Sequence, residues 1–274
     1  MEIRAILVNL DVDSFSPSLV KCAGNLAKRF NAHLIGLSAA EPSPALVGVE
    51  GAVATVEFYQ QEREEIEARL RTVESEFRSQ VPAGVETSWR SFVEAPNRSV
   101  AATARSADLI VTGSHLGSIG QNYLRSLDVG ELVLTAGRPI LVVGSGVAEI
   151  KADKVVVGWK DTKEARRAVL DALPFLRAAS DVVVVTIDEG DLGAERANLE
   201  DLLTWLRRHD VKARGDVYPA KGGPANSLET TARLLEADLV VTGGYGHSRL
   251  REWLFGGMTR DLLAAQTINR FMSN

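Results

Sequence analysis

The chain has 274 residues, 45% of them hydrophobic and 24% charged, with a formal net charge of −5. That length suits two domains of ordinary size, and that composition excludes a disordered chain. The acidic balance excludes a general nucleic-acid binder, whose affinity would rest on clustered Lys and Arg.

A single cysteine, Cys22, excludes a disulfide framework and fits a reducing compartment; it reads as a small core residue of a helix. The opening "MEIRAILVNLDVD" runs directly into a strand, unlike a secretory leader, and no apolar run reaches the roughly 18 residues of a membrane span. The expected setting is the cytoplasm.

Ile6 to Leu10 is a short β-rich run bounded by aspartates. Ser16 and Pro17 then supply an N-cap and first-turn pair, and Leu19, Ala23, Leu26 and Phe30 follow at helical spacing. "AHLIGLS" reads as a second strand. Ile66, Leu70, Val73 and Phe77 line one face of a long helix whose other face is Glu and Arg. A third strand in "VETSWRSFV", a helix in "SVAATARSA", a fourth strand in "DLIVTG" and a last strand in "RPILVVGS" complete the series, and "GVAEIKADK" reads as a linker.

The series then repeats. Val155 to Gly158 is a strand; Asp161 and Glu164 have capping-box spacing ahead of a helix from Ala165 to Leu176. "DVVVVTI", "ARGDVYP" and "DLVVTG" read as strands, with helices in "LEDLLTWLRRH" and "SLETTARLLEA". "ADLIVTGSHLG" from Ala107 and "ADLVVTGGYGH" from Ala237 nearly superpose, offset by 130 positions. The first strands, "AILVNLD" from Ala5 and "KVVVGWK" from Lys154, are offset by 149, so the first copy carries 19 extra residues, placed around Ala39 to Val56. Apolar strands alternating with amphipathic helices imply two doubly wound parallel-sheet α/β domains in tandem, with ligands at the carboxyl ends of strands. The expected domains are 1–147 and 152–274.

After the fourth strand of the second copy, Gly243 and Gly246 are followed nine residues later by Gly256 and Gly257, then Met258, Thr259 and an apolar helix. Glycines before a helix N-terminus let an anion approach unpaired N–H groups, and Arg249, Arg251 and Arg260 could add charge. The same glycines would equally serve a tight strand-to-helix corner. The spacing is neither a Walker A loop nor a Rossmann fingerprint.

That GxxG, nine-residue, G segment, the Asp-ended strand "ILVNLD" and the order of elements in both halves resemble the universal stress protein family in its tandem two-domain form, adenine nucleotide alpha hydrolase-like in fold. The resemblance implies five-stranded parallel sheets; some members bind ATP through the glycine segment, and others bind no nucleotide. By that resemblance Gly243, Gly246, Gly256, Gly257, Met258 and Thr259 surround phosphates and ribose. Trp159 and Lys160 lie beside the base, with Ile187 near them. ATP with Mg2+ is the implied ligand of the second copy.

Two residues depart from the family's nucleotide-binding pattern. Gly257 stands where that pattern has Ser or Thr, a loss of about 1 kcal/mol of hydrogen bonding. Lys160 stands where it has an acidic residue and cannot accept a hydrogen bond from adenine or ribose. In the first copy Asp11 keeps the acidic position, but Leu116 replaces the second glycine and "SLDVGELVL" replaces the glycine-rich helix start. The expectation there is no nucleotide.

His33, His115, His209 and His247 are scattered without metal-ligand spacing, and no GxSxG elbow occurs. His33 reads as structural and His209 as a helix-end cap. The expected role is stress-response binding or signalling, with the two domains paired as an internal pseudo-dimer and a homodimer left open. Two alternatives stand beside it: an interaction scaffold without nucleotide, recognising a protein or apolar ligand through the insertion, and a slow ATPase.

Overall fold

Several strands form where β-branched residues are buried on both faces, as at Val155–Val157 and Val182–Val185. A computed structural model describes residues 2–43, 52–114, 124–188, 192–219, 224–244 and 268–274. In chain order its first half runs β1 (Ala5–Asn9), α1 (Pro17–Phe30), β2 (His33–Ala39), α2 (Ala52–Gln80), β3 (Thr87–Phe92), α3 (Pro96–Thr103), β4 (Leu109–Gly113), α4 (Val129–Thr135) and β5 (Ile140–Val143). The second half runs β6 (Lys154–Trp159), α5 (Lys163–Leu176), β7 (Asp181–Asp188), α6 (Leu192–Arg208), β8 (Ala213–Pro219), α7 (Pro224–Leu234), β9 (Leu239–Gly243) and β10 (Arg270–Ser273).

The ten strands make one sheet in the order β3-β2-β1-β4-β5-β10-β9-β6-β7-β8. Counted inward from its own outer edge, each half has the same order of strands. Every described pairing is parallel except the central one, where β5 meets β10 antiparallel with Phe271 opposite Leu141. The sheet edges that two separate domains would expose are therefore joined to each other, which removes the hazard of an unpaired edge there.

The repeated Ala-Asp-Leu has a shared task in this sheet. The Asp108 carboxylate accepts from the N–H groups of Arg4 and Ala5, at 2.9 and 3.0 Å, where β1 begins. Asp238 accepts from the N–H of Asp153 at 3.0 Å, just before β6. Each aspartate ties the entry of its fourth strand to the entry of its first.

On one face, under α1, α2, α5 and α6, a single apolar core runs across both halves. Phe30 meets Phe175 edge-on at 5.2 Å between ring centroids, and Phe175 meets Phe271 at 5.7 Å, carrying that core over the junction. On the other face two clusters lie apart, one under α3 and α4, the other under α7. Arg270 stands at the seam, paired with Val142 of one cluster and Val240 of the other. It is 2% exposed, both terminal guanidinium nitrogens lack a partner among the described residues, and burial pushes its pKa down to about 10. About the Leu141–Phe271 centre, the position equivalent to Arg270 is Ile140, an ordinary core residue.

Around the seam, Asn269 accepts from the N–H of Gly144 at 2.9 Å and donates to the Asp238 carbonyl at 2.8 Å. The linker after β5 is held on α1, where Asn25 donates to the Ala148 carbonyl and Arg29 to that of Lys151. Cys22 is a buried core residue, and desolvation raises its thiol pKa to about 12.

Several sequence expectations need adjustment. The N-cap of α5 is Thr162, which accepts from Ala165 N–H at 3.2 Å. Asp161 and Glu164 form no capping box, because Asp161 sits one position too early and pairs with Arg166. Ser16 caps α1 with Pro17 behind it, as the sequence indicates. Of the extra residues near Ala39 to Val56, Ala39 closes β2, the stretch from Ala52 belongs to α2, and 44–51 lie outside the described residues. The insertion thus lengthens a helix: α2 has 29 residues against 17 in α6.

Candidate functional site

Strand β6 lies between β7 and β9, so the chain leaves its first strand to one side and returns on the other. This reversal is the switch point at which open α/β sheets present a crevice at their carboxyl ends. Register places Trp159 beside Thr186 and Gly158 beside Thr242, which brings the ends of β6, β7 and β9 to one edge.

Four of the nine residues singled out in the sequence fall on this edge: Trp159, Lys160, Ile187 and Gly243. Gly246, Gly256, Gly257, Met258 and Thr259 lie outside the described residues, as do His115, Leu116, His247 and Arg249, Arg251 and Arg260. Trp159 is 8% exposed, with its ring in the core under α5 and α6 and its indole N–H enclosed without a partner among the described residues. Lys160 is half-buried, and its carbonyl accepts from Thr162 N–H at 2.7 Å, folding the chain into α5. Ile187 is half-buried on the opposite face, packed on the cluster under α7, so the sheet separates it from Trp159.

Gly243 has a packing reason for being glycine. A Cβ there would stand 2.5 Å from the backbone nitrogen of Ala165 and 2.7 Å from the carbonyl carbon of Glu164. The first turn of α5 is thus pressed onto the end of β9. Gly244 is equally confined, by Val133 of α4 at 2.4 Å across the two halves. At this corner the reading of the glycines as close-packing residues is satisfied, and the same contact brings the N-terminal turn of α5 to the edge that carries Lys160.

The corresponding edge of the first half is finished differently among the described residues. One carboxylate oxygen of Asp11 is used locally: its Oδ1 accepts from Asp13 and Ser14 N–H at 2.8 and 2.9 Å. Val12, Ala40, Ile66 and Leu70 form a small buried cluster beneath α2. Above it Arg125 donates to both carboxylate oxygens of Asp13, at 2.7 and 2.8 Å, with Glu62 and Glu65 each at 3.9 Å. The hydrogen bond from Arg125 outweighs burial and holds the Asp13 carboxyl below its usual range, while Asp13 raises the guanidinium. Sequence reasoning missed this pair, since the two residues stand 112 positions apart and nothing local marks them.

The remaining candidates are structural. His33 exchanges a 2.8 Å hydrogen bond with Ser88. His209 packs on Trp205 at 4.1 Å, and its carbonyl accepts from Arg177. Among the described residues no group of three or more His, Cys, Asp and Glu is placed to hold a metal, and no helix is long and apolar enough to cross a membrane.

Comparison with known proteins fits this architecture. A solved structure of a universal stress protein from Archaeoglobus fulgidus DSM 4304 superposes with a TM-score of 0.72, covering 98% of this chain and 96% of that one at 15% identity. The functionally unknown protein PA1789 from Pseudomonas aeruginosa PAO1 gives 0.61, covering 99% and 92% at 17% identity. At such identities the likeness is one of fold alone. A stretch of 60 residues is 33% identical to the stress response protein NhaX of Bacillus subtilis (strain 168); it spans 22% of this chain and only 36% of that protein. The model of the universal stress protein family matches residues 2–144, more than half of the chain. With that match over the half whose glycine motif is the more eroded, and the same strand order repeated in the other, the chain belongs to the universal stress protein family.

Proposed function

We propose that the second half holds one adenine nucleotide, ATP with Mg2+, at the carboxyl edge between β6 and β9. The protein then acts in the cytoplasm as a stress-response binding or signalling protein, with domains at 1–147 and 152–274 paired within the chain. The observation that carries this reading is the meeting of Trp159, Lys160 and Gly243 at the switch point, with the N-terminal turn of α5 pressed against Gly243. A lysine and the positive end of a helix at one edge favour an anionic ligand. In this reading Lys160 faces phosphate charge instead of the base, which accounts for a cation where nucleotide-binding relatives carry an acid. Gly246, Gly256, Gly257, Met258 and Thr259 complete the cradle, and Trp159 and Ile187 wall it from opposite faces of the sheet.

Calorimetric titration of MgATP into nucleotide-stripped protein tests this directly. The expected result is saturable binding of about one nucleotide per chain that disappears in Gly246→Leu, because a branched side chain would fill the space a phosphate needs. No heat and no shift in melting temperature would reject the nucleotide.

A second reading is favoured by the enclosed Trp159 ring and the packing role of Gly243: an interaction scaffold that keeps the corner of a binding fold without its ligand. A third, slow ATP hydrolysis at the same edge, predicts phosphate release above the Gly246→Leu background.

A further inference from the structure

Four stretches of chain that are remote in sequence are tied together over the carboxyl ends of β1 and β2. The loop after β1 is held to Arg125 through Asp13. The segment leaving β2 is held twice: Glu41 N–H donates to the Leu124 carbonyl at 2.6 Å, and Ser43 donates from N–H and hydroxyl to Glu62 at 2.9 and 3.2 Å. Helix α2 adds a bond from Arg69 to the Val12 carbonyl at 3.3 Å. Beneath these bonds lie Val12, Ala40, Ile66 and Leu70, buried against one another.

We propose that Arg125 is the keystone of a self-closing strap which fills the ends of β1 and β2 with the protein's own side chains, so that no small molecule is held over residues 9–14 and 40–43. Three features support it. The strap needs the length of α2, since Glu62, Ile66, Arg69 and Leu70 all come from its first two-thirds, and α6 in the other half is shorter by about three turns. The Arg125 side chain is only 14% exposed and its fork engages Asp13 at both oxygens, an arrangement that fixes direction as well as charge. Glu62 is shared between Arg125 and Ser43, so loosening one member releases the next. The strap is closed electrostatically as well as sterically: Arg125 sits among Asp13, Glu62 and Glu65, with Arg69 also close enough to act on Asp13, so the charges of this edge are largely answered by one another.

Amide hydrogen exchange on the full chain tests the proposal without any nucleotide. In Arg125→Met, exchange at Glu41 and Ser43 and at Asp13 and Ser14 should rise together by about tenfold or more, while amides of β6, β7 and β9 keep their protection. The double reversal Asp13→Arg with Arg125→Asp should restore part of that protection, and Ile66→Ala should loosen the same amides with the ion pair intact. An increase confined to the residues around 125, or one spread evenly through both halves, would overturn the strap. Photolabelling of the wild type with 8-azido-ATP gives a separate readout. A label on residues 9–14 or 40–43 would overturn it, and absence of label there is the expected result whether or not the second half is labelled.

Discussion

The two halves share a strand order and differ in how their carboxyl edges are finished. In the first, a lengthened α2 and the Arg125–Asp13 pair cover the ends of β1 and β2 with side chains that satisfy one another. In the second, α5 is drawn against Gly243, and Trp159 and Lys160 end the central strand. A shared sheet does not make a shared edge: the two differ in the length of one helix and in the close packing that glycines allow.

The largest expected effect comes from adding a side chain at the corner of the second half. In Gly243→Val the new Cβ would overlap the backbone of Ala165 and Glu164, which cannot yield as the tip of a side chain would. A loss of about 3 kcal/mol is expected, the upper end for overpacking, measured as a lower midpoint in urea. Unchanged stability would mean that α5 is not packed on β9 as described, and would remove the contact on which the nucleotide reading leans.

Next is the seam. A guanidinium buried without a hydrogen-bond partner, as Arg270 is among the described residues with Glu229 the one carboxylate acting on it there, is costly, whereas an apolar side chain of similar volume is not. Arg270→Met should stabilise the protein by about 2 kcal/mol, and Ile140→Arg, which places the same charge at the equivalent position of the first half, should destabilise it. Equal effects of both substitutions would show that the seam treats its two sides alike and that Arg270 has a partner beyond the described residues.

A smaller effect separates the halves by pH. The folded-state pKa of Asp13 is lowered, chiefly by its hydrogen bond from Arg125. Its contribution is therefore present above the unfolded value, near pH 4, and is lost as pH falls through the lower folded value. Asp13 is about half exposed, so screening limits the pair to roughly 1 kcal/mol or less. Comparing wild type with Asp13→Asn, the stability gap should be steady at neutral pH and close below about pH 4. A gap that persists in acid would show that Asp13 acts by packing and not by charge.

Much of this was legible in the sequence because the signals were local and repeated. The Val-rich strands, the Ser16–Pro17 start of α1 and the Ile66, Leu70, Val73, Phe77 face of α2 follow from burial and helical period. The duplicated Ala-Asp-Leu reported the repeat, and its aspartates prove to lock strand entries. Three features were not legible. Strand β10 has Arg270 and Ser273 within it and Asn269 before it, so it shows no apolar run; only its place between β5 and β9 makes those residues interior. The capping residue of α5 was misplaced by one position because Asp161 and Thr162 both suit an N-cap, and tertiary placement chose between them. The Arg125–Asp13 pair depends on the chain closing a loop of more than a hundred residues, which no spacing rule reports.

The finest expected difference is none at all, between the unfolding of one half and the other. Tandem domains joined only by a linker would unfold separately. Here the sheet is continuous through β5 and β10, one core spans the junction through Phe30, Phe175 and Phe271, and Ser273 donates to Asp171 of α5 at 3.0 Å, binding the last strand to the second half. Cys22 offers a clean probe of the first half, since it is buried in α1 and desolvation holds its thiol far from ionisation at neutral pH. It should react with a thiol reagent only when that half opens. In a urea series, the midpoint for Cys22 labelling should coincide with the midpoint of the far-ultraviolet circular dichroism of the whole chain, as cooperative unfolding requires. Labelling that precedes the loss of half the signal would place a boundary at the β5–β10 junction and show that the first half opens while the second stays folded.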